Sequence, residues 1–413
     1  MTLRIELDNP PKVWSPGSII QGKVTLDSQQ DESIERVTIR FSGKASTKFR
    51  TMEGGPYDDR VQLFLYTEQL FSGNYTFSAS KRLEWPFRFV FPEKSTNKRY
   101  NLGNNKSFCN SGGGSLPPTF LYETDFLTSH EAYCRVKYKL VAELCRPTSF
   151  SLSSGRLEAE RALTFSPHRS EAIPNIKLST HPATWIVYSK KILPEYENYE
   201  PTRKEKVLSF FSSRDKLPSS SFKIIARLPS KIITGQSIPL TLSAVHQPSL
   251  STAPVVPPIR LRSLILIVKM RTSYCGTSTF GNVHDGSKTD KFTVAHRHSL
   301  DIPLEADPVD VSAPLNLLSP GALPPTFVSH LIKRGYSLQA KFEVECAGCR
   351  KTVEANQTQL IILGSTYAHL PRGPPPSDAI LEMSGAGEQA PAYDFVEKSV
   401  RRNADEDLPA YKP

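Results

Sequence analysis

The chain has 413 residues, of which 38% are hydrophobic and 22% charged; 51 Lys and Arg against 41 Asp and Glu give a formal net charge of +10. At roughly 100–200 residues per domain this predicts two or three domains, each with its own core. The longest apolar run is Leu264 to Val268, too short for a transmembrane helix. The 34 prolines are set between apolar runs and leave little room for long helices. Six cysteines do not make a disulfide framework and fit a reduced, cytosolic chain. The opening residues, MTLRIELDNPPKVW, lack an apolar h-region, so no secretory signal is expected. The positive charge either favours acidic partners or is a solvated basic surface.

Residues 1–165 read as all-β. SPGSIIQGKVTL (Ser15–Leu26) is a turn running into a strand. In SIERVTIRFSGKAST (Ser33–Thr47) the apolar set Val37, Ile39 and Phe41 alternates with polar residues, the period of two that divides the faces of a strand. GNYTF and EWPFRFVFPE follow, and in the latter Phe87, Phe89 and Phe91 share a face. A Gly/Asn/Ser stretch, Thr96 to Ser115, reads as a loop. After LPPTF (Leu116–Phe120) comes YCRVKYKLVAEL, with Val136, Tyr138, Leu140 and Ala142 on one side. Short strands separated by turn signals predict a β-sandwich.

Residues 166–220 lose this rhythm and read as a linker, with a short helix or an edge strand at ATWIVYS. Strand patterning resumes over residues 221–365, and the order of the first half recurs. TGQSIPLTLSA answers SPGSIIQGKVTL, IRLRSLILIVKMRTSY answers SIERVTIRFSGKAST, and HRHSLDIPLE stands where EWPFRFVFPE stood. LPPTF then returns at Leu323–Phe327, leading to YSLQAKFEVECAG. The LPPTF copies are 207 residues apart (323 − 116) and the Gly17 and Gly235 turns 218 apart (235 − 17). Similar offsets in the same order indicate two copies of one fold. In each LPPTF the second proline fixes its own φ and holds the residue before it extended, so the phrase reads as a rigid corner that delivers Phe to a core. Residues 366–413 are rich in Pro, Gly and charge, and are expected to be a disordered tail.

These motifs resemble a known family. SPGSIIQGKVTL is similar to the opening of an arrestin N-domain, in which Pro-Gly leads into a Gly-hydrophobic strand; WPFRFVFPE, the first LPPTF and YCRVKYKLVAEL resemble the strands that follow it. TGQSIPLTLSA and YSLQAKFEVECAG resemble the arrestin C-domain. The ordered set covers about residues 1–365 and resembles the arrestin-like superfamily, within it the fungal α-arrestins, or arrestin-related trafficking adaptors. That resemblance implies an all-β chain of two tandem immunoglobulin-type β-sandwich domains with a disordered tail, no enzyme active site and no cofactor. It implies an adaptor that brings a WW-domain HECT-type ubiquitin ligase to membrane transporter or receptor cargo, which is then ubiquitinated and internalised. The expected location is cytoplasmic, peripherally at the plasma membrane or endosomes. A retromer-like scaffold of the same fold, without ligase recruitment, is the alternative.

The family motif for ligase recruitment is Leu/Pro-Pro-x-Tyr, gripped as a polyproline II segment in an aromatic groove. The chain has no Pro-Pro-x-Tyr, but it has Leu408-Pro409-Ala410-Tyr411, Ala390-Pro391-Ala392-Tyr393 and, in the linker, Leu193-Pro194-Glu195-Tyr196. Composition alone gives about one Pro-x-Tyr (34 × 15/413), so three is a weak excess. Lys190, Lys191, Arg203, Lys204 and Lys206 cluster in the linker; they could meet anionic lipid, accept ubiquitin or simply be solvated. Ser219, Ser220 and Ser221, among other linker serines, are candidates for phosphorylation. Arrestins proper join their domains through a buried core of arginine and aspartates, which no motif here places.

Other chemistry finds no constellation. Cys346-Ala347-Gly348-Cys349 is a lone CxxC, and His296 and His298 are a strand pair two residues apart, short of a metal ligand set. There is no nucleophile elbow, P-loop or dinucleotide fingerprint, and no zinc-finger spacing or basic-aromatic module for nucleic acid.

Overall fold

Alternation of the kind seen at Val37, Ile39 and Phe41 can be buried only against a second sheet, and the chain supplies two such pairs of sheets. The computed structural model describes residues 1–364 apart from 51–55, 80, 97–107, 109–113, 125–130, 148–155, 168–175, 197–198, 200–216, 279–280 and 322. In the first half the strands are β1 (Thr2–Leu7), β2 (Ile19–Asp27), β3 (Glu32–Arg50), β4 (Pro56–Phe77), β5 (Leu83–Val90), β6 (Phe120–Glu123), β7 (Ala132–Cys145) and β8 (Arg156–Leu163). In the second they are β9 (Leu178–Tyr188), β10 (Ser219–Pro229), β11 (Lys231–Ile233), β12 (Thr241–His246), β13 (Ile259–Thr277), β14 (Val283–Arg297), β15 (Ile302–Leu304), β16 (Val309–Asp310), β17 (Phe327–Val328), β18 (Ile332–Cys346) and β19 (Cys349–Leu363). Among the described residues the only helices are 3-10 turns, and none is long and apolar enough to cross a membrane.

The first sandwich packs the sheet β1-β2-β5 on the sheet β4-β3-β7-β6, with β8 beside β7. Ile20, Val24 and Phe87 from one sheet and Ile39, Phe41, Tyr138 and Leu140 from the other share one hydrophobic core. The second sandwich packs β16-β12-β10-β9 on β11-β19-β18-β13-β14, with Ile224 and Leu242 meeting Leu266, Val268 and Phe342. The long strands β3 and β13, matched in sequence, are both interior to their sheets. The matched turns also agree: Gly17 and Gly235 have φ of 74° and 77°, the left-handed region where a side chain is strained. The match fails at HRHSLDIPLE. β5 pairs with β2, whereas β15 is three residues long and pairs with β13. Ser299, at φ 54°, turns the chain before β15.

The repeated LPPTF has a shared set of bonds. Consecutive prolines offer carbonyls but no N–H, so the corner cannot satisfy itself within a ladder. Tyr138 Oη donates to Pro117 O at 2.6 Å, and Tyr336 Oη donates to Pro324 O at 2.5 Å. The threonine then clips the strand or segment that ends each sandwich. Thr119 Oγ1 accepts from the Phe165 N–H at 2.8 Å, and Thr326 Oγ1 accepts from the Ile362 N–H at 2.8 Å. Each threonine N–H returns a bond to the same residue, to Phe165 O at 2.9 Å and to Ile362 O at 3.0 Å. The phenylalanines Phe120 and Phe327 meet edge to face, with centroids 5.1 Å apart. One phrase therefore closes each sandwich, and its two copies touch.

The stretch 166–220 is not a linker throughout. β9 pairs with β10 along its full length, from Leu178↔Pro229 to Tyr188↔Ser219, as the edge strand of the second sandwich. Trp185 and Val187, two apart, bury their side chains in its core, and Ile192 follows. Ser219, Ser220 and Ser221 open β10 and are buried, so a kinase would meet them only after that strand opened.

The corner bonds lead to a paired expectation. Thr119→Val and Thr326→Val should each lower the unfolding free energy by about 1–2 kcal/mol, because each strands a backbone N–H, while Thr→Ser at either site restores most of it. Urea denaturation measures this, and unchanged midpoints for both valine variants would refute the clip.

Candidate functional site

The linker motif starts where the second sandwich holds it. Ser189 accepts from the Lys191 N–H at 3.2 Å and caps the 3-10 turn Lys190–Ile192; its hydroxyl also donates to Ala347 O at 3.0 Å. Ala347 and Gly348 form the two-residue turn between β18 and β19, with φ of 48° and 78°. Ile192 is buried in the second core and pins the segment. Leu193-Pro194-Glu195-Tyr196 then closes into a second 3-10 turn, with the Tyr196 N–H on Leu193 O at 2.9 Å. The Tyr196 ring meets Tyr199 edge to face at 5.9 Å, and Lys190 Nζ lies 5.4 Å from the Tyr199 centroid. This is the opposite of the open polyproline II form that a WW groove takes. The structure thus brings Lys190 and Lys191 beside Leu193, Pro194 and Tyr196. Arg203, Lys204, Lys206, Pro391, Tyr393, Leu408, Pro409 and Tyr411 lie outside the described residues.

A second constellation, of which the sequence marked only the phenylalanines of the two LPPTF copies, joins the two sandwiches. Tyr274, Cys275, Phe327, Leu331 and Ile332 of the second half bury their side chains in the first core. Thr47 Oγ1 donates to Cys275 O at 2.7 Å, and Thr277 Oγ1 donates to Asp59 Oδ2 at 2.7 Å. Gly276 is needed here because a Cβ would sit 2.9 Å from the Phe49 ring. At the same boundary Arg334 of β18 is only 5% exposed. Its guanidinium carbon lies 5.1 Å from the Tyr336 centroid and 5.9 Å from those of Phe120 and Tyr122 across the boundary. Its Nε donates to Tyr336 Oη at 3.1 Å and its other arm to Thr272 Oγ1. The polar contacts of this buried cation, among the described residues, are therefore hydroxyls and ring faces. Burial, and then the nearby Asp290 carboxylate, push the Tyr122 hydroxyl up, so that it stays protonated. Sequence reading missed Arg334 because no motif surrounds it and it follows another cation, Lys333.

Three of the described cysteines, Cys134, Cys275 and Cys346, are buried. Cys346 and Cys349 face each other across the two-residue turn, and burial pushes the Cys346 thiol up to about 12 and raises Cys349 as well. Cys275 is likewise pushed up to about 12 by burial, with Asp59 and Asp285 adding to it. His296 and His298 touch edge to face at 4.1 Å. No group of three or more His, Cys, Asp or Glu among the described residues is placed to hold a metal ion.

Comparison with known proteins follows the same division. Residues 3–162 match the family model for the arrestin (or S-antigen) N-terminal domain. The chain is also similar to the pH-response regulator protein palF/RIM8 of Candida albicans, with 24% identity over 272 residues. That match takes in 59% of this chain and 42% of the relative, so the chain spans less than half of the relative's length.

Two outcomes are expected. Arg334→Ala should cost about 2–4 kcal/mol of stability, through lost cation–π contacts and packing, and Arg334→Lys should recover only part of it, since an ammonium cannot lie flat among the rings. Iodoacetamide at pH 8 should modify half-exposed Cys145 readily and Cys349 slowly, and leave Cys134, Cys275 and Cys346 intact until unfolding. A raised thiol holds less thiolate at pH 8, so the Cys349 rate should climb as pH rises; mass mapping of the adducts checks both points.

Proposed function

We propose, on the premise that this chain is arrestin-like with an arrestin N-terminal domain over residues 3–162, that it is a non-enzymatic adaptor between membrane cargo and a WW-domain HECT-type ubiquitin ligase. Two joined β-sandwiches offer a broad, relatively rigid platform, and Leu408-Pro409-Ala410-Tyr411 and Ala390-Pro391-Ala392-Tyr393 offer short ligands for a WW groove. The observation that carries the reading is the arrestin platform followed by these Pro-x-Tyr motifs within one chain. Leu193–Tyr196 contributes least, since it is folded into a 3-10 turn and would have to unwind to enter the groove. Lys190 and Lys191, with Arg203, Lys204 and Lys206, would favour an anionic membrane by about 1 kcal/mol per charge near the surface. The platform then lies at the cytoplasmic side of the plasma membrane or endosomes, and its cargo is a transporter or receptor.

Similarity to a pH-response regulator favours a second, compatible reading in which the adaptor's cargo belongs to a response to ambient pH. A scaffold of the same fold without ligase recruitment is the competing reading.

Pull-down of the full chain on WW domains of a HECT-type ligase tests the recruitment step. Tyr411→Ala combined with Tyr393→Ala should weaken capture by roughly tenfold or more, as loss of an aromatic anchor does, and Tyr196→Ala should change it little. Undiminished capture by the double variant would sink recruitment through the tail. Normal cargo ubiquitination after removal of residues 366–413 would favour the scaffold.

A further inference from the structure

β14 ends the strand order β11-β19-β18-β13-β14, and among the described residues the one strand paired with it is β13. Its other side presents a row of backbone N–H and C=O groups that no described strand takes up. Exposed edges are ordinarily blunted by shortness, proline or bulges. β4, the edge strand of the larger sheet in the first sandwich, opens on Pro56 and shifts register three times against β3. β14 has 15 residues and no proline, and its pairing shifts once, near its far end, at Leu266/Ile267 of β13. Residues 283–293 pair with β13 residue for residue and form an unbroken edge.

The charges along that edge show what fits it. Asp285, Lys288, Asp290 and Lys291 are the carboxylates and ammonium groups of the stretch. Set antiparallel to a second copy with Thr289 on the two-fold axis, β14 meets itself without a like-charge pair. Lys288 then faces the partner's Asp290, and Asp290 faces the partner's Lys288, so one register forms two opposite-charge pairs. Lys291 faces the partner's Ser287, with the partner's Asp285 diagonally beside it. Gly286 faces the partner's Phe292, which is 42% exposed in the single chain; an aromatic ring opposite an edge glycine covers bare backbone. Thr289 faces its own counterpart, a pair that suits a sheet. Moving the axis by one residue sets Lys288 against Lys288 or Asp290 against Asp290. Within the single chain Lys288 stands opposite Thr272, and Asp290 bonds the Tyr122 hydroxyl; among the described residues neither forms an ion pair.

We infer that the free edge of β14 is the two-fold contact of a homodimer, joining the large sheets of two second sandwiches into one continuous sheet. A second copy is the occupant because self-pairing places each of the central charges on its opposite twice over. The nine residues Asp285–Thr293 are a strand of ordinary length, so the contact is small and association reversible and concentration-dependent. The inference stands apart from the ligase reading. Failure of the tail tyrosine test would leave it untouched.

Sedimentation equilibrium of the full chain over a wide range of concentration tests it. The weight-average mass should climb from that of one chain toward that of two, and the urea midpoint should rise with protein concentration. Lys288→Glu sets like charges opposite each other twice and should weaken association roughly tenfold or more. Its urea midpoint at low concentration should match wild type, since Lys288 has no ion pair to lose. Ser287→Glu, facing Lys291, should tighten association. Lys223→Glu, an exposed lysine on β10, makes the same change in net charge and should leave association as it is. Mild oxidation with diamide should join Thr289→Cys chains through residue 289, as mass mapping reads. Ser287→Cys chains should not join, because residue 287 and its counterpart lie about 13 Å apart along the paired strands, beyond disulfide reach. The inference is overturned if the chain keeps a single-chain mass at every concentration, if Lys288→Glu associates as wild type does, if Lys223→Glu weakens it equally, or if residue 287 bridges as readily as residue 289.

Discussion

A carbonyl on a proline-proline corner must find its donor elsewhere, and much of this architecture follows from how that need is met. Tyr138 and Tyr336 reach back to Pro117 and Pro324, and a threonine two residues later fastens the closing segment of the same sandwich. Buried backbone groups left without partners cost more than a typical hydrogen bond contributes, so the corner, the tyrosine and the threonine are constrained as one unit. The unit also positions Phe120 and Phe327 toward each other. A local solution to a backbone problem, used twice, thereby becomes part of the joint between the halves.

That joint has an unusual electrical character. A guanidinium at 5% exposure normally needs a carboxylate, yet Arg334 rests among Phe120, Tyr122 and Tyr336 and two hydroxyls. Among the described residues, ring quadrupoles and hydroxyl dipoles offset part of the desolvation cost. Screening by salt acts weakly on such a contact, because the cation is out of reach of the ionic atmosphere.

The parts of the fold visible in the sequence were those buried on one side. Val37, Ile39 and Phe41, Phe87 and Phe89, and Val136, Tyr138 and Leu140 all point into the first core, as their alternation required. β14 and the middle of β4, residues 65–72, were not read as strands, because their residues are mostly exposed and a sheet edge imposes no apolar period. β9 was read as a fragment for the same reason: along most of its length alternate residues are half-exposed, and only Trp185 and Val187 mark its buried end. The candidate site divides in the same way. Pro-x-Tyr is legible as a string, but the helical turn that closes Leu193–Tyr196 depends on Ser189, Ile192 and a distant hairpin. Arg334 becomes visible only when strands far apart in the chain are set side by side.

The five side chains that the second sandwich lends to the first core bear on how the molecule is made. A nascent chain emerges from its amino end, and the first sandwich is complete in sequence well before Tyr274, Cys275, Phe327, Leu331 and Ile332 have been synthesised. Until then the ends of β3 and β7 present bare apolar surface, the kind that invites aggregation or chaperone capture during translation. The amino-terminal half is therefore a waiting partner, and its final consolidation follows synthesis of the second sandwich.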